Sequence, residues 1–448
     1  MKNHNYKVFY LTLICFLLYF SVSIISEVFN IHWKPFDRNN LIADIFQEKE
    51  ISEPKIATKD STIIVKNGDS VVAEQDFELY KKPQFIINFQ TGNQAALSNF
   101  MEKLQRLKNG EKIKIRIAYF GDSMIEGDLL TQTLRSLFQN EYGGYGVGYL
   151  PIVSNVSGFR QTATASGSGW DDTNFMTKGA KNLYLSGHYF TGKGSASFTD
   201  NTIKTPEVSI EKSLIFGKSE SANIIYNGNP VSLNANAAVN RQVLSNDYSK
   251  QMKISGTDNS SVLYGVSFES ESGIFVDNFS FRGITGVEIN KLNEDFMKSI
   301  QQANHYDLVV LQYGVNLLFR PKDTNYDYYA KMMNPVLKKM KNAFSDADFL
   351  LISSADRAFK YNGEFQTAIG LPNLLKTQAT LAFENNLAFY NQFETMGGEN
   401  SIVKWAEQNP SLANRDYIHP NHRGAEILAK KLFEAFQNDY KKYTAQKK

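Results

Sequence analysis

The chain has 448 residues, 42% of them apolar and 21% charged, and its 48 basic and 46 acidic side chains leave a net charge of +2. That near-balance, with no dense Lys/Arg run, excludes the basic-surface signature of a nucleic-acid binder, and the length allows two or three domains with cores of their own. One cysteine, Cys15, permits no intrachain disulfide, and no zinc-type Cys/His spacing occurs.

In chain order, the first feature is an apolar run from Val8 to Ser26, broken only by Thr12, Ser21 and Ser23. It is long enough to span a bilayer as a helix. Lys2 and Lys7 precede it and Glu27 follows, so the positive-inside rule places the N-terminus in the cytoplasm and the rest outside. Ser23 and Ser26 make no good small-x-small cleavage pair, and the bulky Ile14 before Cys15 argues against lipoprotein processing. Residues 1–26 therefore read as a cytoplasmic tip and an uncleaved transmembrane signal anchor. Residues 27–94 read as a stem or linker with some strand, including a hairpin signal at Asn67-Gly68-Asp69.

From residue 95 the pattern is α/β. Leu97, Phe100, Leu104 and Leu107 recur at helical spacing and stop at Asn109-Gly110. An apolar strand over 113–120 runs into Gly121-Asp122-Ser123, with a helix expected over 124–140. Residues 156–274 change texture: Ser, Thr, Asn and Gly dominate and apolar runs are short. This reads as an inserted β-rich, sandwich-like module. After 275 helices and strands alternate again: strands at 306–312, 348–354 and 387–393, and helices at 292–303, 326–344, 372–385 and 423–440. Segments 95–155 and 275–448 thus form one α/β domain around a parallel sheet, interrupted by the insertion.

Ligands of such sheets bind beyond the carboxyl ends of the strands, so the polar residues there carry the functional argument. Ser123 follows the first strand, either as a helix cap or as a nucleophile. A nucleophile needs a base, and histidine is the usual one. Of six histidines, His4 is cytoplasmic, His32 abuts the anchor, His188 sits in the insertion and His305 lies at the wrong end of its strand. His419 and His422 remain, on a loop before the last helix. Asp416, three residues before His419, can fix its tautomer and stabilise the imidazolium. His422 reads as a surface residue beside the helix start; a D-x-x-H-x-x-H metal site is the alternative, with no further ligand cluster in view. Oxyanion donors would be the Ser123 N–H, a glycine N–H from Arg282-Gly283-Ile284-Thr285-Gly286, and the Asn316 amide in Gly314-Val315-Asn316. Glu126 and Asp128 are expected to complement the dipole of the helix after Ser123, with Asp122 bonding locally in the turn.

Four blocks thus occur in order: G-D-S at 121–123, R-G-I-T-G at 282–286, G-V-N at 314–316 and D-Y-I-H at 416–419. Together they resemble the SGNH, or GDSL, hydrolases, over roughly 113–150 and 275–440. The resemblance implies a flavodoxin-like three-layer α/β sandwich and no cofactor or metal. It also implies Ser123 as nucleophile, His419 as base, Asp416 as its partner, and an oxyanion hole of Ser123, Gly286 (alternatively Gly283) and Asn316. Met124 stands where the family often has leucine, an apolar replacement that leaves the chemistry intact. The stretch from Gly121 to Ile152 is similar to the opening of periplasmic peptidoglycan O-acetylesterases, some of which carry an inserted carbohydrate-binding module.

The expected activity is removal of O-acetyl groups from a cell-envelope glycan, peptidoglycan above all, through an acetyl-serine. An O-acetyltransferase using the same residues stays open. So does a non-catalytic glycan binder, in which Trp170, Tyr184, Tyr189 and Tyr264 would stack on sugars, although the same aromatics could equally be module core.

Overall fold

In the computed structural model the described residues are Tyr10, 13–22, 80–90, 94–204, 208–258 and 260–447. The chain divides into two units, Met1–Glu74 and Gln75–Lys448. In the first, Tyr10 and residues 13–22 are helical. Among the described residues no helix is long and apolar enough to cross a membrane. The rest of the 8–26 run and the hairpin expected at Asn67–Asp69 lie outside the described residues.

The second unit is built on a five-stranded parallel sheet: β1 (Lys114–Gly121), β11 (Gly273–Ser280), β12 (Leu308–Gln312), β13 (Asp348–Ile352) and β14 (Ala388–Tyr390), in the order β11-β1-β12-β13-β14. Counted along the core alone this is the 2-1-3-4-5 order of flavodoxin-like sheets, whose ligands bind where the order reverses. Here that point is the end of β1, where Ser123 follows. Alternation on each strand feeds two cores. Ala118, Phe120, Val309 and Leu311 pack with helices Glu294–Asn304, Asp327–Ala343 and Leu371–Glu384. Ile115, Ile117, Tyr119, Leu308 and Val310 pack with helices Ser98–Lys108, Thr131–Tyr142 and His422–Gln446. The result is the expected three-layer sandwich. Ile87 adds an antiparallel bridge to Phe389 at the sheet edge.

The region between β1 and β11 holds the module. Its strands are β2 (Gly148–Pro151), β3 (Ala163–Ser168), β4 (Asp171–Asn174), β5 (His188–Thr191), β6 (Ser195–Asp200), β7 (Ile210–Tyr226), β8 (Asn229–Asp247), β9 (Gln251–Gly256) and β10 (Leu263–Glu269). They form one continuous antiparallel sheet rather than two separate ones. The 17-residue β7 pairs with β10 at its start and β9 at its end, with bulges between. Strands on both sides of it share one apolar cluster, with Phe198 and Ile254 meeting Val266 and Phe268. Bulges bend a strand and raise its twist, and here they let one sheet fold over its own core.

The module is fastened to the α/β layers. Tyr184 stacks between Tyr149 and Tyr264, at ring-centroid distances of 5.3 and 5.2 Å, and all three belong to the core cluster that Val309 and Leu311 line. Buried Glu269 pairs with Arg116 and Arg241, each at 2.6 Å, and with Lys114 at 3.2 Å. Burial opposes its charge, but these cations win and hold the carboxyl well below the usual range.

Candidate active site

Ser123 stands in a tight turn after β1. Asp122 shapes that turn: its Oδ1 accepts from the Met124 N–H at 2.9 Å, and its backbone oxygen accepts from the Ile125 N–H at 3.3 Å. The helix expected from residue 124 begins only at Thr131, after a 3-10 turn over Glu126–Asp128 in which Gly127 and Asp128 have φ near +67° and +68°. The two acids therefore do not serve a helix dipole. Asp128 is buried and accepts from Arg135 at 2.7 and 2.8 Å and from Thr131 and Thr162 at 2.5 Å, with Arg160 at 3.2 Å. Glu126 accepts from Arg282 at 2.9 Å, tying the serine turn to the loop after β11. A left-handed Asp128 lets the carboxylate turn inward to cations supplied from elsewhere, which helical periodicity does not reveal.

The structure brings the three residues singled out as a triad into register. Ser123 Oγ lies 2.8 Å from His419 Nε2, and His419 Nδ1 lies 2.8 Å from Asp416 Oδ2. Asp416 Oδ1 also accepts the backbone N–H groups of Ile418 and His419, at 2.9 and 3.0 Å. Burial works against the Asp416 charge, yet these hydrogen bonds keep its carboxyl below the usual range. An ionised Asp416 requires the proton on Nδ1 and leaves Nε2 free to accept from the serine hydroxyl. The loop is held by Asn414 N–H to His419 O at 2.9 Å, by stacking of Phe365 on Tyr417 at 3.9 Å, and by Asn421, which caps the last helix. His422 is the first, exposed residue of that helix. Among the described residues no group of three or more His, Cys, Asp or Glu could hold a metal ion.

The oxyanion donors are less simply arranged. The Asn316 amide nitrogen donates to Asp122 Oδ2 and to Ile284 O, both at 2.9 Å, so both of its hydrogens are engaged. Asp122 is fully buried, and burial pushes its carboxyl up to about 7, against the hydrogen bonds from Met124 and Asn316. Gly286, the preferred second donor from sequence, is buried at φ +92°, and a Cβ there would stand 2.7 Å from the Tyr313 ring. Gly283, at φ +79°, is exposed with open space around it. Gly314 admits no side chain, since a Cβ would lie 2.3 Å from that of Ser354.

Arg357 is a residue that the sequence reading passed over. It follows β13, donates to Val315 O at 2.8 Å and lies near enough to Asp416 to feel its charge. It thus links the Asn316 loop to the His419 loop. Its signal was its place at a strand end, weakened by the intervening Ser353-Ser354-Ala355-Asp356. Of the aromatics proposed for sugar stacking, Tyr184 and Tyr264 are buried core, whereas Tyr189 and Trp170 are half-buried, the first packed on the same cluster and the second over Gly194 and Gly256.

No family model matches the chain, and no curated protein matches it either. Solved structures do match. The parallel sheet in flavodoxin-like order, with Ser123, His419 and Asp416 at its carboxyl edge, is the arrangement expected from the four sequence blocks. A solved peptidoglycan O-acetylesterase is similar over 78% of this chain and 97% of its own, at 23% identity and a TM-score of 0.65. An acetylxylan esterase from Geobacillus stearothermophilus aligns over 37% of this chain and 73% of its own, at 18% identity and a TM-score of 0.27. A putative GDSL-like lipase from Parabacteroides merdae aligns over 37% and 74%, at 17% identity and a TM-score of 0.29.

Proposed function

We propose that this chain is a serine carbohydrate esterase that removes O-acetyl groups from a cell-envelope glycan, with peptidoglycan as the favoured substrate. The observation that carries the reading is the unbroken relay from Ser123 Oγ through His419 to Asp416, each link 2.8 Å. Likeness of fold to a peptidoglycan O-acetylesterase supports the choice of glycan.

In the reaction, Ser123 Oγ attacks the acetyl carbonyl while His419 Nε2 takes its proton. The tetrahedral oxyanion is met by the Ser123 N–H and the Gly283 N–H, the exposed glycine of its loop. The Asn316 hydrogen now spent on the Ile284 carbonyl shifts to the oxyanion, which is the stronger acceptor because it is charged. His419 then returns the proton to the departing sugar oxygen, leaving acetyl-Ser123. Water, deprotonated by His419, releases acetate and restores the serine. Asp122 and Arg357 act as positioning residues, the first on Asn316 and the second between the two catalytic loops.

The test is acetate release from O-acetylated peptidoglycan and from acetylated xylan, with Ser123→Ala as control. Release from peptidoglycan alone, abolished in the control, is expected. An acetyl-Ser123 that turns over only when a sugar acceptor is added, with the acetyl group appearing on that sugar instead of as free acetate, would make the enzyme an acetyltransferase. We also place the catalytic unit outside the cytoplasmic membrane, held by the 8–26 segment, on the strength of its apolar run and flanking charges. Fractionation of cells expressing the full chain and a variant lacking residues 1–26 tests that placement.

A further inference from the structure

A cleft of about 560 Å³ opens where the module meets the catalytic layers, within the range typical of ligand sites. One wall is catalytic: Glu126 and Gly127 from the serine turn, and Phe281 and Arg282 from the loop that bears Gly283. The facing wall belongs to the module and holds a second histidine–aspartate pair. His188 Nδ1 lies 2.8 Å from Asp172 Oδ1. Asp172 also accepts from Asn174 at 3.0 Å.

This pair has no nucleophile. Ser186, two residues away, has its hydroxyl 3.1 Å from that of Tyr149, and no hydrogen bond joins it to His188 among the described residues. The pair nevertheless has a defined chemistry. A carboxylate at Nδ1 requires the proton there, so Nε2 presents a lone pair. His188 lines the cleft, and its Nε2 makes no hydrogen bond to a described residue. Its ring stacks on Phe190 (5.8 Å between centroids, 3° between planes) and lies over Phe281 (5.1 Å, 32°). Phe175 adds an edge contact to Phe281 at 5.3 Å. A module residue is thus fixed directly against Phe281, which precedes Arg282 and Gly283 in the loop after β11.

The remaining surface suits a sugar rather than a charged ligand. Arg282 is paired with Glu126 and Arg160 with Asp128, and the Asp172 carboxylate is turned onto the Nδ1–H of His188. Between them stand apolar Phe159 and Met176, both largely exposed. Apolar patches set among fixed donors and acceptors match the two faces and the rim of a pyranose.

We propose that this cleft is a sugar subsite of the enzyme. His188, its tautomer fixed by Asp172, accepts a hydrogen bond there from a hydroxyl or acetamido N–H of the sugar flanking the acetylated one. The inference rests on the esterase reading above and adds the module to the substrate site.

The test compares soluble O-acetylated peptidoglycan fragments with 4-nitrophenyl acetate, which carries no flanking sugar. His188→Phe keeps the stacked ring and deletes the acceptor. It should raise KM for the fragments about tenfold, the worth of one hydrogen bond. Neither kcat on the fragments nor kcat/KM for the small ester should change. His188→Gln, which returns an acceptor, should recover part of the loss. Equal losses on both substrates would mean that His188 acts only through Phe281, and would overturn the subsite. So would an unchanged KM in a variant of an enzyme that does cleave the fragments. A wild-type chain that cleaves the small ester but neither peptidoglycan fragments nor acetylated xylan would remove the glycan reading itself, and this subsite with it.

Discussion

Among the described residues two histidine–aspartate pairs share the same 2.8 Å geometry, one at the carboxyl edge of the parallel sheet and one in the module. Only the first has a serine within reach, Ser123 at 2.8 Å. The pair alone therefore defines a histidine with a fixed tautomer, not a catalyst; what the free nitrogen faces decides its task. On the proposed reading, the nitrogen that faces a hydroxyl held up by a strand-end turn acts as a general base, and the one that faces an open cleft beside aromatic rings accepts from a ligand.

The strongest way to break this contrast is to remove the serine or its base. Ser123→Ala and His419→Ala should each lower kcat on 4-nitrophenyl acetate by about 10⁴-fold or more, read by steady-state kinetics. Asp416→Asn leaves the tautomer unfixed and should cost about 10² to 10⁴-fold in kcat, whereas Asp172→Asn should leave small-ester hydrolysis intact. Asn316→Ala should cost about 10² to 10³-fold in kcat with little change in KM, as expected of a donor used in the transition state.

Smaller effects sharpen the same picture through stability. Arg135→Leu leaves Asp128 buried against Arg160 and two hydroxyls, and should destabilise the catalytic unit by about 3 to 5 kcal/mol in denaturant titration. The two aspartates beside the nucleophile and the base should then show opposite pH slopes in Tm. Asp416 sits below the ordinary carboxylate range, so its contribution is complete above about pH 4 and is lost in acid as its folded value is passed. The Tm gap between wild type and Asp416→Asn should close as pH falls. Asp122, pushed up to about 7, keeps its proton when folded at a pH where the unfolded chain has lost it. Wild-type stability relative to Asp122→Asn should therefore fall as pH rises from about 4 to 7.

The α/β layers were legible because their signals are local and periodic. Continuous apolar runs such as 308–312 mark doubly covered strands, and the i, i+3, i+4 spacing in 98–108 marks a helix. Ser123, Asp416 and His419 followed from what must lie at strand ends and from the small number of histidines. What stayed hidden depends on pairings distant in sequence. The bulged β7 that folds the module over pairs with the distant β10, and the inward-turned Asp128 accepts from Thr162, 34 residues away. Tyr184 and Tyr264 were ambiguous for a related reason: an aromatic on a short strand reads the same whether it meets a sugar or the facing layer. The burial of Gly286 under Tyr313, and the exposure of Gly283, are likewise set by a contact that spacing within the R-G-I-T-G block does not encode.

The most direct test of the central claim is rapid-quench mass spectrometry of the protein mixed with an O-acetylated substrate. The account predicts a transient acetyl group on the peptide that carries Ser123, formed and lost at rates that match acetate release, and absent from Ser123→Ala. Acetate release that proceeds with no acyl-enzyme, or that persists in Ser123→Ala, would contradict it.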